Sequence, residues 1–176
     1  MAIYVDGTEM LGGSVIQTSN VITGTTSTYN GSPTDNTWYD SVVTGQITPI
    51  FDDSSIIIHT HVMTQIGNEN SYVGWNFRWK KVVGSTTTYP AIGPDDYNGG
   101  MTGGFGFFYE SLHYSSSDNW ARDNKLTSVD SDVDTTSAVT YTLQWATMLG
   151  TNDGVRIGGN AWGNFRWHLY FQEIGR

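Results

Sequence analysis

Cysteine is absent from this sequence, which excludes disulfide staples and thiol catalysis and leaves the redox compartment unmarked. Cations are scarce: eight Lys and Arg stand against 17 Asp and Glu, for a net charge of −9. Phosphate backbones and anionic bilayers are both bound by clustered cations, so neither nucleic acid nor a membrane surface is expected as a partner. No apolar run approaches the ~20 residues that span a bilayer as a helix. The opening Met1-Ala2-Ile3-Tyr4-Val5-Asp6 has no basic start and meets an acid early, so no signal peptide is expected. Proline is limited to four residues and charged residues to 14%. No stretch reads as a credible amphipathic helix.

Large rings and small polar residues take up the difference. Aromatics make up 14% of the chain, with seven Trp and ten Tyr, and there are 21 Gly. Thr, Ser and Asn fill much of the remainder. Aromatic and β-branched residues separated by Gly-rich turns favour strands. At 176 residues the chain is long enough for one domain with a real core.

The alternation of side chains locates the strands. Val139, Tyr141, Leu143 and Trp145 point one way while Thr140, Thr142 and Gln144 point the other, the pattern of a strand with one buried face. Tyr72 to Val83 places Val73, Trp75, Phe77 and Trp79 opposite Asn76, Arg78 and Lys80. Asn164 to Ile174 places Phe165, Trp167, Leu169 and Phe171 opposite Arg166, His168, Tyr170 and Gln172. Further strands are expected at Ser14–Thr18, Thr37–Val43, Gln46–Ile50, Ser55–Ile66, Gly103–Tyr109 and Val155–Ile157. Many strands of this length with irregular loops predict an all-β antiparallel β-sandwich of jelly-roll type. Residues 1–13 read as a short arm and residues 14–176 as the sandwich. The longest irregular segments are Gly84 to Gly104 and Tyr114 to Asp123.

Several groups invite a chemical reading. His59-Thr60-His61 puts two imidazoles on one face of a strand, ~6.6 Å apart, a spacing that can serve a metal. Cupin jelly rolls add a Glu about four or five residues on, where this chain has Gln65 and Ile66, so the pair is weighed mainly as two polar residues on an outer or interfacial face. Asp130-Ser131-Asp132-Val133-Asp134 starts like a calcium loop, but Thr135 and Tyr141 stand where an EF-hand needs Gly and Glu. Glu110 with Asp118 or Asp123 would satisfy a glycosidase only in the way any acidic chain does. Neither a Gly-x-Ser-x-Gly elbow nor a phosphate loop is present. No enzyme activity and no cofactor are expected. The rings in or beside loops are the stronger clue: Tyr97, Tyr114 and Trp120, with Asn98 and Asn119 nearby, suit stacking on a sugar or packing at a subunit interface.

Four stretches taken in order resemble the head domains of phage tail fibres and other virion fibres. They are Gly12-Gly13-Ser14-Val15-Ile16-Gln17, Ile47-Thr48-Pro49 followed by Ser54-Ser55-Ile56-Ile57-Ile58, Asp132 to Gln144, and Trp167-His168-Leu169-Tyr170-Phe171-Gln172-Glu173-Ile174. Ser14 and Ser55 stand where the family usually has Lys. The resemblance runs over roughly residues 12–174. It implies a homotrimeric, non-enzymatic virion protein that packs on other virion proteins and contacts a host surface glycan. Only about a dozen residues precede the head, which implies a short knob or spike rather than a long fibre. Ile3, Tyr4 and Val5 would then dock the arm to the particle. Tyr97, Asn98, Tyr114, Asn119 and Trp120 would be receptor-facing. His59 and His61 would be candidates for a metal on the trimer axis.

Overall fold

In the computed structural model the described residues are 3–5, 8–10, 14–25, 28–30, 34, 37–66, 72–90, 108–113, 120–147, 155–158 and 166–175. Fourteen strands and no helix occur among them. Strands β1 (Ile3–Val5) and β2 (Thr8–Met10) pair antiparallel as a two-stranded sheet of their own. One sheet of the body contains β6 (Tyr39–Ile47), β8 (Tyr72–Val83), β9 (Thr86–Thr88), β10 (Phe108–His113) and β12 (Val139–Thr147). Its order is β10-β8-β12-β6, with β9 added to β8. The other sheet contains β3 (Val15–Thr18), β4 (Ile22–Gly24), β5 (Thr28–Asn30), β7 (Ser55–Ile66), β11 (Trp120–Asp130), β13 (Val155–Gly158) and β14 (Trp167–Ile174). There β11 follows one edge of β7, while β14 and β13 share the other edge end to end. Every pairing is antiparallel.

The connectivity is that of a jelly roll. Take the principal strands in chain order as β3, β6, β7, β8, β10, β11, β12 and β14. In one sheet the first lies beside the last, the last beside the third, and the third beside the sixth. In the other the second lies beside the seventh, the seventh beside the fourth, and the fourth beside the fifth. A ribbon of antiparallel pairs wound across two facing sheets gives this order.

The core lies between the two sheets and is built by the alternation read from the sequence. Val139, Tyr141, Leu143 and Trp145 of β12 are fully buried, as are Phe77 and Trp79 of β8. They meet Ile56, Ile58 and Val62 of β7, Ile157 of β13, and Leu169 and Phe171 of β14. Burying each such side chain stabilises the fold by about 1.5–3 kcal/mol before conformational entropy is counted. The Tyr141 ring meets Phe171 at 5.5 Å in a tilted contact and Trp79 at 6.4 Å in the favoured T-shaped geometry. Trp79 Nε1 donates to Ser128 Oγ of the facing sheet at 3.1 Å, so the indole nitrogen is satisfied inside the core.

Three expectations are revised. The strands expected at Thr37–Val43 and Gln46–Ile50 are one strand, β6, continuous through Thr44-Gly45. Thr44 Oγ1 holds that join by bonding Thr142 Oγ1 at 3.0 Å and Tyr141 O at 3.1 Å. Gly45 is needed there because a Cβ would come within 3.0 Å of Ile22, Leu169 and Phe171, where the sheets approach closely. The segment expected as a loop from Tyr114 to Asp123 instead enters an 11-residue strand at Trp120. Part of the Gly84–Gly104 segment is a hairpin: Gly84, at φ 57°, turns β8 into β9.

Candidate functional site

Residues from the four stretches singled out in the sequence converge on two buried polar locks, one at each of two carboxylates. The first is Glu173, whose alternation on β14 aims it into the sandwich, where it is fully buried. Its oxygens accept from Ser54 Oγ at 2.6 Å, Gln17 Nε2 at 2.6 Å, Ile50 N at 2.9 Å and Phe51 N at 3.0 Å. Gln17 Nε2 also donates to Thr48 O at 2.8 Å. Burial alone would raise the Glu173 pKa, but the donors from Ser54, Ile50, Phe51 and Gln17 outweigh it and hold the carboxyl below its ordinary range. The lock ties β3, the turn after β6, the start of β7 and the last strand together.

The second lock is Asp130, buried at the end of β11. Lys81 Nζ lies 2.8 Å from Asp130 Oδ2, and Tyr141 OH donates to the same oxygen at 2.7 Å. Asp132 N caps the other oxygen at 3.1 Å, and Lys81 Nζ also reaches Asp132 O at 2.7 Å. Burial, the Asp130 charge and the hydrogen bond to it push the Tyr141 hydroxyl far above the ordinary tyrosine range, so it stays a donor. The inward-facing Lys81 and the Asp130 partnership went unread in the sequence. A lysine at a core-facing position of an otherwise apolar strand was the available signal, since a buried ammonium demands a carboxylate. With Lys81 on it, Asp130 does not open a calcium loop.

The outer face of the larger sheet carries the histidines. His59 Nε2 bonds Gln172 Oε1 at 2.9 Å, and its ring stacks on Tyr170 at 4.5 Å. His61 pairs with Asp123 and stacks on His168 at 5.7 Å. A shallow depression of about 260 Å³ lies among these rings, Lys125 and Thr127. Among the described residues no group of three or more His, Cys, Asp and Glu side chains is placed to hold a metal ion. The His59–His61 pair lies on a ring-stacked face, joined by His168, whose nearness the sequence did not reveal.

The outer face of the smaller sheet holds a different network. Arg78 is buried between the rings of Trp38 at 4.3 Å and Tyr89 at 3.9 Å and donates from Nε to Gln144 Oε1 at 2.6 Å. Gln144 Nε2 passes the contact to Asp40 Oδ1 at 2.6 Å, and Lys80 Nζ meets Asp40 Oδ2 at 2.6 Å. Burial lowers the Arg78 pKa, with Tyr89 and Asp40 opposing. Burial would raise the Asp40 pKa, but Lys80, Gln144 and Arg78 bring it below its ordinary value.

Tyr97, Asn98, Tyr114 and Asn119 lie outside the described residues. Trp120 opens β11 in register with Ile66, so it belongs to a strand rather than a loop. Ile3, Tyr4 and Val5 form β1, in register with Met10, Glu9 and Thr8. Glu110 is on β10 of one sheet and Asp123 on β11 of the other, and Asp118 lies outside the described residues.

No family model and no curated protein matches the chain. A solved structure of the infectious bursal disease virus Gx strain aligns with 99% of this chain and 40% of its own, at 14% identity and a TM-score of 0.33. Similarity that low fixes neither a fold family nor a function.

Proposed function

We propose that this chain is a non-enzymatic virion structural protein, the head of a short trimeric fibre, spike or knob of a phage. One observation carries the reading. The motif residues that resemble fibre heads are spent on holding a jelly roll rigid: Gln17, Ser54 and Glu173 meet in one lock, and Asp132 and Tyr141 join Asp130 in the other. A rigid body with its buried carboxylates already satisfied suits attachment better than turnover, and jelly rolls serve viral capsids and lectins alike, an analogy of fold. Neighbouring copies pack on the outer face of the larger sheet. Its stacked rings and the half-buried Ile57 and exposed Val129 give the flat, aromatic surface that subunit interfaces favour. Residues 1–13 anchor the assembly to another virion protein, and repeated contacts on one body add avidity.

Mass measurement in solution tests the assembly: a mass three times that of the chain is expected, and a strict monomer at working concentration overturns it. Replacing Tyr170 by Glu should break the trimer while leaving the sandwich folded. Deleting residues 1–13 should spare the trimer and abolish incorporation into particles. Imaging of labelled virions supplies the location, and label absent from purified particles would refute the virion reading.

A further inference from the structure

A second feature lies beside the second lock, where β8 turns into β9. A cavity of about 620 Å³ opens between the β8–β9 hairpin and the chain that leaves β11. That volume is within the range of small-molecule sites, roughly 300–1,000 Å³. Its floor is the second lock, where Lys81 and Asp130 neutralise each other. The floor therefore offers a ligand no unmatched charge.

The walls have a particular chemistry. Tyr89 is half exposed on one side, at 49%. Its ring is backed by the Arg78 guanidinium at 3.9 Å, and Arg78 is itself fixed by Trp38 and Gln144. This makes Tyr89 a platform that loses little freedom when something stacks on it. Thr86 and Thr88, both exposed, add hydroxyls to the lining. Asp132 and Asp134 line the same space with exposed carboxylates, which accept hydrogen bonds. A ligand that fits has a flat apolar face, a rim of hydroxyl donors and no negative charge. We propose that this cavity binds a neutral pyranose sugar, with Tyr89 stacked on the ring face and Asp132 and Asp134 accepting from hydroxyls. Sialic and uronic acids are disfavoured by the two carboxylates on a chain already at −9. The cavity shares Val129 with the proposed packing face, but Tyr89, Asp132 and Asp134 all come from one chain, so the proposal does not rest on the trimeric reading.

Saturation-transfer NMR and calorimetry on the whole chain provide the test. The probes are the methyl glycosides of glucose, galactose, mannose and N-acetylglucosamine, with N-acetylneuraminic acid beside them. At least one neutral glycoside should bind in the millimolar range. Tyr89→Ala should weaken it about tenfold or more, and Tyr89→Phe by no more than about twofold. Asp132→Asn and Asp134→Asn should each weaken binding severalfold at an unchanged melting temperature. If Tyr89→Ala disturbs folding, Thr88→Arg, on an exposed strand, should block the cavity instead. The proposal is overturned if no neutral glycoside binds, if N-acetylneuraminic acid binds better, or if binding survives both Tyr89→Ala and Thr88→Arg.

Discussion

Asp130 and Glu173 are both buried carboxylates, and the fold stabilises them in opposite ways. Asp130 faces an ammonium, with Tyr141 and one backbone N–H completing its shell. Glu173 has no salt-bridge partner among the described residues and is held by hydroxyl, amide and backbone donors alone. An ion pair taken out of water gains little net stability, yet losing one partner strands the other. A carboxylate held by neutral donors leaves no stranded charge when it is neutralised, and the cost is spread over several bonds. The two locks should therefore fail with different severity and under different conditions.

The sharpest test of the contrast is Asp130→Asn. Lys81 would keep its charge at the core with no counter-charge, at a cost of about 3–5 kcal/mol in urea denaturation. Replacing the pair together, Lys81→Met with Asp130→Leu, should recover most of that loss although it removes more polar contacts. If Asp130→Asn proved harmless and the double replacement severe, the stabilisation would belong to the hydrogen bonds and the comparison would collapse.

Glu173→Gln should cost less, about 2–3 kcal/mol, because the amide keeps one acceptor oxygen but turns an NH₂ toward existing donors. It also carries a pH signature. The Glu173 pKa is lowered in the fold, so its contribution is present above the ordinary glutamate range, near ~4.3, and is lost as pH falls through the lower folded value. Melting temperature measured down the acid limb should fall less steeply in Glu173→Gln than in the native chain.

Tyr141→Phe comes next, at about 2 kcal/mol near neutral pH, since Asp130 loses one donor but keeps Lys81. Its signature lies at the other extreme. Because the Tyr141 pKa is raised, the folded hydroxyl stays protonated where the unfolded one ionises, so stability is lost as pH rises past ~10. The phenylalanine variant should lose that part of the alkaline decline. Equal slopes in the two proteins would show that other groups govern the limb.

The sequence made strands legible where the two faces differed in kind. β7 and β8 match Ser55–Ile66 and Tyr72–Val83, and β12 buries the four side chains its alternation marks. β11 escaped for a physical reason. Its inward positions Asn124, Ser128 and Asp130 are polar and satisfied by Thr64, Trp79 and Lys81, while Val129 faces out at 48% exposure. Its hydrophobic alternation is therefore weak, and charges at Arg122, Asp123 and Lys125 resemble a loop. The locks were hidden for a related reason: their partners lie on different strands, so Gln17 and Glu173, 156 positions apart, carry no local pattern. The cavity beside Tyr89 depends on the same long-range assembly and had no signature beyond an excess of rings.

The smallest effect completes the contrast with an ion pair left in water. Lys80 and Asp40 are closer than the buried pair, at 2.6 Å against 2.8 Å, but their side chains are 27% and 48% exposed. Solvent screens the attraction, and two flexible side chains lose entropy to hold it. Lys80→Ala should therefore cost no more than about 0.5 kcal/mol, and less still in molar salt. Asp40→Ala should cost somewhat more, because Gln144 loses the acceptor that helps fix it against Arg78. A coupling between Lys80 and Asp40 measured by double-mutant cycle at several kcal/mol would mean that the outer face of the smaller sheet is drier than its exposure indicates. It would then have to be treated like the interior around Asp130.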